Sequence, residues 1–256
     1  MPRTEAQAAA LQSALDREGE EFQTYVGMRH WHPTLAEAVA RISASGLRCV
    51  VGLVMAPHYS RMSVELYFEK LSRAQEDFPV PLEIARIESW KTEEGLLAAW
   101  SERIRAALEK FPLELRSAVE LVFTAHSLPQ RILGWADPYP EELQATFMAL
   151  SEPFHENLAH FAYQSAAMSP EPWLGPDAGD LMAARLKDGA RHFVIVPIGF
   201  VTEHVEILYD IDIAFRTRVE AAGGTLVRAA MPETDPRMIA GLAERVRETA
   251  RSRGWL

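Results

Sequence analysis

The residues best suited to chemistry are an acidic series and a histidine that follow an apolar run. The stretch VIVPIGFVTEHVEILYDIDI carries Glu203, His204, Glu206 and Asp210 after its apolar beginning. In a helix, Glu203, Glu206 and Asp210 fall at positions i, i+3 and i+7, and therefore on one face. Carboxylates in the first turn stay ionised because the helix dipole favours the anion. The spacing alone fits a cation-binding face and an ordinary solvated acidic face about equally.

The same helix needs a packing face and an N-terminal cap. Val205, Leu208 and Phe215 point away from the carboxylates in this helix, so we expect them to pack against the core. Thr202 or Glu203 is suited to the N-cap position. The preceding run HFVIVP predicts a buried strand that ends at its proline, because proline cannot donate to a strand ladder.

A second candidate imidazole, His126, follows the apolar run VELVFTA. A neutral imidazole opposite carboxylates suits both transition-metal binding and proton transfer. Ser127 is not expected to act as a nucleophile with its neighbour His126, since adjacent residues rarely form the required hydrogen bond. The sequence contains no HExxH, GxSxG, GxxxxGK[ST] or GxGxxG motif. Zinc-protease, hydrolase and nucleotide-binding readings therefore have no motif support.

These residues follow strands in a chain that alternates strands and helices after an amphipathic N-terminal helix, MPRTEAQAAALQSALDREGEEF. Strands are predicted from Phe22, Cys49, Leu82, Val119, Leu158, His192 and Thr225. Such alternation predicts an α/β protein built from parallel sheets flanked by helices. We expect two Rossmann-like domains, residues 1–115 and 116–234, with a cleft between them. The C-terminal helix 235–256 is expected to complete the first domain.

Composition excludes several functional classes. The net charge of -10 argues against binding a nucleic-acid backbone. The single cysteine, Cys49, excludes an internal disulfide and a self-contained iron–sulfur cluster. Its apolar surroundings predict a small core residue. The sequence has neither a signal-peptide core nor a membrane-length apolar run, which predicts a cytoplasmic protein.

Polar residues follow several of the predicted strands. In open parallel sheets the carboxyl ends of the strands line the ligand crevice. We expect the residues after the strands to converge there, and they are Arg29, His30, Tyr59, His126, Gln164 and Ser165. Arg29 is the best carboxylate partner among them, because a guanidinium binds a carboxylate through two parallel hydrogen bonds.

Several uncommon motifs resemble one family, the ferrochelatases, which insert ferrous iron into a porphyrin. The motifs are FTAHSLPQRI, VPIGFVTEHVEILYD and SPEPWLGPDAGDL, together with YVGMRHWHP, MAPHYS, IESW, DPYPEEL and YQS in the same order. The resemblance covers nearly the whole chain. AHSLP, DPYP and PEPWLGPD look closer to bacterial coproporphyrin III enzymes than to the membrane-associated protoporphyrin enzymes.

The resemblance implies roles for individual residues. His126 and Glu206 are the expected catalytic pair and metal contacts, with Asp210 as a further metal contact. His204 and Glu203 are expected to support them. The residues expected to bind the porphyrin are Trp173, Arg29, His30, Tyr59, Ser165 and Gln164. The expected partners are ferrous iron and coproporphyrin III or protoporphyrin IX as substrates, with no tightly bound cofactor. A monomer or weak dimer without a membrane span is expected.

Two departures from the family pattern keep alternatives open. The family pattern has a further strand and polar turn ahead of the first helix, so we expect the N-terminal sheet of this chain to lack its first strand. Ala214 also stands where the acidic series often carries another carboxylate. The rival interpretations are a non-catalytic porphyrin or haem carrier and a chelatase that inserts cobalt or nickel into another tetrapyrrole.

Overall fold

The computed structural model describes residues 2–16, 21–76, 78 and 81–256. The chain divides into two compact units, Met1–Leu96 with Glu233–Leu256, and Leu97–Pro232. The domain boundary predicted near residue 115 stays a prediction. Within the described ranges, no helix combines the length and apolar character needed to cross a membrane.

Helices and strands alternate through most of the described residues, and the ladders between the named strands are parallel. The helices are α1 (Pro2–Leu15), α2 (Leu35–Ala44), α3 (Val64–Ala74), α4 (Glu94–Leu108), α5 (Tyr139–Ser151), α6 (Ala178–Lys187), α7 (Val205–Tyr209), α8 (Arg216–Ala221) and α9 (Pro236–Ser252). The strands are β1 (Cys49–Leu53), β2 (Glu83–Ile87), β3 (Glu120–His126), β4 (Ala159–Gln164), β5 (His192–Val196) and β6 (Thr225–Arg228). A π-helical turn, Asp210–Phe215, joins α7 to α8. The predicted α/β class with parallel sheets flanked by helices is confirmed.

The first unit pairs β1 with β2 and packs helices around them. Helix α2 begins with a capping box: the Thr34 hydroxyl accepts from the Glu37 backbone N–H, and the Glu37 carboxylate accepts from the Thr34 backbone N–H. This capping box satisfies two backbone donors that the first helical turn leaves open. Helix α9 lies against α1, where Arg247 donates to the carbonyls of Ala14 and Leu15 at 2.8 and 3.1 Å. Residues 1 and 17–20 of the predicted N-terminal helix lie outside the described residues.

The strand predicted from Phe22 is wrong. In the part of the chain described, residues 22–27 join no strand ladder. The side chain of Gln12 takes their backbone groups instead, donating to the Phe22 carbonyl at 2.9 Å and accepting from the Thr24 N–H at 2.7 Å. Gly27 lies so close to α2 that an added Cβ would meet Leu35 at 2.8 Å. The aromatic and β-branched residues predicted a strand ladder here, but a side chain supplies these backbone partners instead.

The predicted burial of Cys49 is also wrong. Cys49 is exposed because it is the first residue of β1, and burial increases only from the second residue of that strand. An apolar run specifies a strand, but it does not specify how far each end of the strand extends beyond the core.

The second unit contains a sheet with strand order β4-β3-β5-β6. Strand β3 is central and buried from Glu120 to Ala125, as its continuous apolar sequence predicts. His126 is paired with Gln164 at the end of β4. Because all four strands are parallel, the residues that follow β3, β4, β5 and β6 emerge at one edge of this sheet.

Candidate functional site

The backbone around His126 is fixed from three directions. The Tyr139 hydroxyl donates to the His126 carbonyl at 3.0 Å. Ser127 donates through its backbone N–H to the Gln164 carbonyl and through Oγ to the Leu174 carbonyl, each at 2.8 Å. Strand β3 therefore delivers the imidazole to the sheet edge on a backbone that has little freedom to move.

The imidazole of His126 is held in one tautomer. Its Nδ1 is hydrogen-bonded to the Ser127 carbonyl. A carbonyl oxygen can only accept, so Nδ1 must carry the hydrogen. In the neutral ring the lone pair is then on Nε2, which lies 3.7 Å from Oε2 of Glu206. With a neutral ring, the site presents a nitrogen lone pair beside a carboxylate.

The loop after β5 reaches this position because it contains Gly199. Its backbone N–H donates to the Thr124 carbonyl at 3.2 Å. A Cβ added at Gly199 would lie 2.8 Å from Cβ and 2.9 Å from Cα of Ala125. Glycine is therefore required here by the close approach of two backbones. This contact holds the start of the acidic segment, which carries Glu203, Glu206 and Asp210, next to β3.

Helix α7 begins later than expected. His204, rather than Thr202 or Glu203, occupies the N-cap, and among the described atoms its side chain caps no backbone N–H. The predicted cap is therefore wrong. The Glu203 carboxylate instead forms an ion pair with Arg228 at 3.1 Å.

The packing face of this helix also differs from the prediction. Phe215 is buried as expected, whereas Val205 is 80% exposed and Leu208 is 39% exposed. The buried stripe is formed by Ile207, Ile211 and Phe215, which are spaced four residues apart. This i, i+4, i+8 series places three large apolar side chains on one face. That face is buried in place of the one predicted from Val205 and Leu208.

His204 extends the site on the far side of Glu206. Its Nδ1 lies 3.9 Å from Oε2 of Glu206, and its ring lies 4.5 Å from the ring of Phe200. Nε2 is buried, with no hydrogen-bond partner among the residues that the structure describes. Burial lowers the pKa of His204, and the nearby His126 adds to this effect, while the charges of Glu206 and Asp210 oppose it. His204 is therefore a neutral imidazole at pH 7.

Asp210 is connected to β4 through Ser165. The Ser165 hydroxyl donates to Oδ2 of Asp210. Ser165 has φ = 59°, a left-handed conformation that L-residues other than glycine seldom adopt. Gln164, the preceding residue, is fully buried and accepts a 2.7 Å hydrogen bond from Thr124. Gln164 thus supports the strand end from within, whereas Ser165 contacts the acidic segment.

Trp173 is held in a short extended segment. Gln130 donates from its backbone N–H to the Pro172 carbonyl at 2.8 Å, and Leu174 donates to the Leu128 carbonyl at 2.9 Å. The Trp173 indole N–H donates to Oγ of Ser169 at 2.8 Å. The indole is partly exposed, so one of its surfaces remains open to a ligand.

The other porphyrin-binding candidates lie in the first unit. Arg29 donates to Nε2 of His30 at 2.7 Å and lies over the ring of Tyr67, 5.4 Å from its centroid. Arg29 and His30 line a cavity of about 680 Å³. The Tyr59 hydroxyl donates to Glu65 at 3.0 Å, and burial, assisted by Glu65, raises the pKa of Tyr59 to about 12.

The site does not form a closed metal cage. Within the described ranges, no group of three histidine, cysteine or carboxylate side chains is arranged to hold a metal ion. His126 and Glu206 are instead an open pair, with exposed fractions of 32% and 57% for their side chains. An open imidazole–carboxylate pair can accept protons and contact a metal transiently, which differs from the chemistry of a structural metal site.

Sequence reasoning placed His126 and Glu206 together but missed the supporting role of Tyr139. It assigned Gly199 to a turn after the strand, without foreseeing its close approach to Ala125. Arg228 was missed entirely, because a single arginine at the end of a strand has no distinctive local pattern.

Comparison with known proteins identifies relatives along most of the chain. A family model described as Ferrochelatase matches residues 1–250. The ferrochelatase of Herpetosiphon aurantiacus is 40% identical over 230 residues, which cover 90% of this chain and 75% of the relative. The coproporphyrin III ferrochelatase of Geobacillus kaustophilus is 38% identical over 245 residues, which cover 94% of this chain and 77% of the relative. The solved structure of SirB from Bacillus subtilis with Fe3+ matches 99% of this chain and 92% of its own, with a TM-score of 0.72 and 16% identity, a similarity of fold.

Proposed function

The chain belongs to the ferrochelatase family, enzymes that insert a metal into a porphyrin in haem biosynthesis, and we propose that it inserts ferrous iron into coproporphyrin III. The observation that carries the proposal is the approach of Nε2 of His126 to Oε2 of Glu206, at 3.7 Å. Ferrous iron and the porphyrin are both substrates of this reaction.

Metal insertion releases the two pyrrole protons of the porphyrin as the iron binds to its nitrogens. Nε2 of His126 has a lone pair, so it acts as a proton acceptor or as the first ligand of the incoming iron. Glu206 accepts the other proton and offsets the positive charge of the metal. Both groups come from rigid surroundings, β3 for His126 and the Gly199 contact for Glu206, which keeps them in position without further rearrangement.

Asp210 and His204 support this pair. Asp210 lies one helical turn beyond Glu206 and continues the acidic surface, so it provides a path for metal or protons. His204 is neutral and lies beside Glu206, where it can accept a proton from that carboxyl group. Glu203 serves a structural role through Arg228.

Coproporphyrin III is favoured by the relatives that carry this substrate in their names, which are 34 to 39% identical to the chain. It carries more propionates than protoporphyrin IX, and we assign Arg29 and His30 to these carboxylates. Trp173 contacts the flat face or edge of the macrocycle. Tyr59, Ser165 and Gln164 complete the set of residues assigned to porphyrin binding. Gln164 contributes by supporting the end of β4. We further propose a cytoplasmic enzyme without a resident cofactor that acts as a monomer or weak dimer.

The experiment is an anaerobic insertion assay on the purified chain. Ferrous iron is offered with coproporphyrin III and, separately, with protoporphyrin IX, and product formation is followed by absorbance. We expect faster insertion into coproporphyrin III, and loss of insertion by about a hundredfold or more in His126→Ala and in Glu206→Ala. His155→Ala is the matched control, because it removes an exposed imidazole outside the site.

Each rival predicts a different result. Tight binding of product haem with no insertion by the unaltered chain identifies a carrier. Insertion of cobalt or nickel into another tetrapyrrole, without iron insertion, identifies a different chelatase. Full activity in both His126→Ala and Glu206→Ala contradicts the assigned site.

A further inference from the structure

Arg228 connects the two ends of the segment that carries Glu206. It is the last residue of β6, and only 12% of its side chain is exposed. Its Nη2 donates to Oε1 of Glu203 at 3.1 Å and to Oδ2 of Asp212 at 2.9 Å. Its Nε lies 3.1 Å from each carboxylate oxygen of Asp212. One guanidinium thus joins the residue that precedes α7 to the π-helical turn that follows it.

The arginine divides four nearby carboxylates into two pairs. The outer pair, Glu203 and Asp212, forms ion pairs with Arg228, and Arg216 also pairs with Asp212. The inner pair, Glu206 and Asp210, has no arginine or lysine partner in the described part of the chain. Instead, Glu206 faces His126, and Asp210 accepts from Ser165. The inner carboxylates therefore stay available to a cation or a proton.

Apart from the buried side chains of Ile207 and Ile211, the segment between Glu203 and Asp212 has little support of its own. Helix α7 has five residues. Within the described structure, the side chain of its N-cap residue, His204, forms no hydrogen bond to the first turn. It continues as a π-helical turn rather than as a regular α-helix. Short helices depend on tertiary contacts for their position. The Arg228 contacts at both ends supply such support.

The arrangement of Arg228 is poorly suited to stability alone. Its Nη1 is buried, and no hydrogen-bond partner for it is present among the described residues. A buried cation loses hydration, and a buried ion pair often stabilises no better than apolar side chains of similar size. Fixing one geometry is the better-supported reason to retain such a pair.

We propose that Arg228 is a positioning residue for metal insertion. By holding Glu203 and Asp212, it sets the position of Glu206 relative to His126 and keeps both inner carboxylates free of cationic partners. Arg228 itself touches neither metal nor porphyrin. The inference rests on the proposed function, because it assigns Glu206 and His126 to the reaction.

The test compares Arg228→Met, Arg228→Lys and the unaltered chain. Methionine retains much of the side-chain length without the charge, whereas lysine keeps the charge but cannot bridge two carboxylates in the same way. Arg216→Met is the matched control, since Arg216 also contacts Asp212, at 3.3 Å, but is not bonded to Glu203. We expect kcat for iron insertion to fall about tenfold or more in Arg228→Met, with a change of less than about twofold in the porphyrin KM. Arg228→Lys should lie between the two, and Arg216→Met should match the unaltered chain.

A triple variant separates positioning from stability. Arg228→Met combined with Glu203→Gln and Asp212→Asn removes the two carboxylates that would otherwise lose their partner. We expect its melting temperature to recover while kcat stays low, because the charge problem is relieved but the geometry is not restored. Recovery of both overturns the proposal, as does an unchanged kcat in Arg228→Met.

Failure of the proposed function has a separate signature. If the unaltered chain inserts no iron, the proposed function fails, and the inference is then tested by crystal structures of the unaltered and Arg228→Met chains. We expect Glu206 to move relative to His126 by more than about 1 Å, the scale at which misplacement affects catalysis. An unchanged Glu206 position rejects the role of Arg228 whether or not the chain is active.

Discussion

Nε2 of His126 lies 3.7 Å from Oε2 of Glu206, although the two residues are 80 positions apart in the sequence.

 Strand β3 ends at residue 126 and α7 begins at residue 205, so the pairing is produced by the parallel sheet and by the loop after β5. The separation is longer than a direct hydrogen bond. The two side chains therefore present a nitrogen lone pair and a carboxylate to a third group rather than only to each other.

Gly199 holds the loop after β5 against β3, and its substitution tests whether this contact sets the separation between His126 and Glu206. In Gly199→Ala the new methyl group would lie 2.8 Å from Cβ of Ala125, so the loop that leads to α7 must move. We expect insertion activity to fall about tenfold or more, with a loss of about 1–3 kcal/mol in the free energy of unfolding from overpacking. Insertion kinetics and urea denaturation measure the two effects.

Gly134→Ala is the matched control for this substitution. Among the described atoms, nothing lies within 4 Å of a Cβ added at Gly134. It should leave activity and stability nearly unchanged. Equal activity in Gly199→Ala and the unaltered chain would show that the close approach to Ala125 does not position Glu206.

The parts of the fold that follow from local sequence were predicted well. Thr34 and Glu37 form a capping box because they occupy the N-cap and the third position of one helix, and that information is local. The parallel strands, including β3 and β5, follow from short apolar runs separated by helices. The strand from Phe22 failed for the opposite reason: its backbone partners include the side chain of Gln12, which no local pattern reveals.

The site shows the same division. The sequence placed His126 and Glu206 at the carboxyl ends of strands or just after them, and the structure brings them together. The sequence did not reveal which face of α7 is buried, because Val205 and Leu208 are as apolar as the buried Ile207 and Ile211. Only packing against the sheet selects between the two faces. The role of Arg228 likewise depends on contacts with two residues of a distant segment.

Ser165 combines an unfavourable backbone conformation with a hydrogen bond to Asp210, and two substitutions separate these effects. Ser165→Gly removes the hydroxyl and relieves the left-handed conformation, whereas Ser165→Ala removes the hydroxyl but keeps the strain. We expect Ser165→Gly to be more stable than Ser165→Ala by about 1 kcal/mol. Thermal unfolding measures the difference.

Both Ser165 variants should raise the KM for ferrous iron, since Asp210 loses the donor that orients it. A KM that is unchanged in both variants contradicts a role for Asp210 in metal delivery. A higher KM in Ser165→Ala alone attributes the effect to backbone strain instead.

Glu120 is the first residue of β3 and lies at the end of the second sheet opposite the site. It accepts from Nε2 of His160 at 2.8 Å and from Nε and Nη2 of Arg185 at 3.0 and 2.8 Å. Burial opposes its charge, but the hydrogen bonds from Arg185 and His160 outweigh burial and lower the pKa of Glu120. Glu120→Gln should therefore reduce the free energy of unfolding at pH 7 by about 2 kcal/mol.

Urea denaturation measures this loss, and Glu156→Gln, an exposed substitution, is the control. Because the folded-state pKa of Glu120 is depressed, its contribution is present above the unfolded value of 4.5 and is lost as the pH falls below it. The difference in stability between the unaltered chain and Glu120→Gln should shrink in that acidic range. A constant difference at all pH values would contradict the assigned pairing.

His58 makes the protein sensitive to acid in a higher pH range. Its side chain is buried, and burial, with a smaller contribution from Lys91, lowers the pKa of His58 from 6.5 to about 3. Between these values the unfolded chain binds a proton that the folded chain does not, so the free energy of unfolding falls as the pH decreases from 6.5 towards 3. One such group contributes a slope of up to about 1.4 kcal/mol per pH unit.

The slope between pH 6.5 and 5 isolates His58 from Glu120, whose contribution changes only below about 4.5. Other histidines also titrate there, so the informative quantity is the difference in slope between the unaltered chain and His58→Gln, measured by urea denaturation at several pH values. Glutamine cannot take up the proton, and we expect the slope to become less steep by up to about 1 kcal/mol per pH unit. The slope does not depend on the stability of the variant at pH 7. His155→Gln, which changes an exposed imidazole, is the control and should leave the slope nearly as it was. Equal slopes in His58→Gln and the unaltered chain would mean that His58 is protonated in the folded state above pH 5, against the burial that excludes water from its ring.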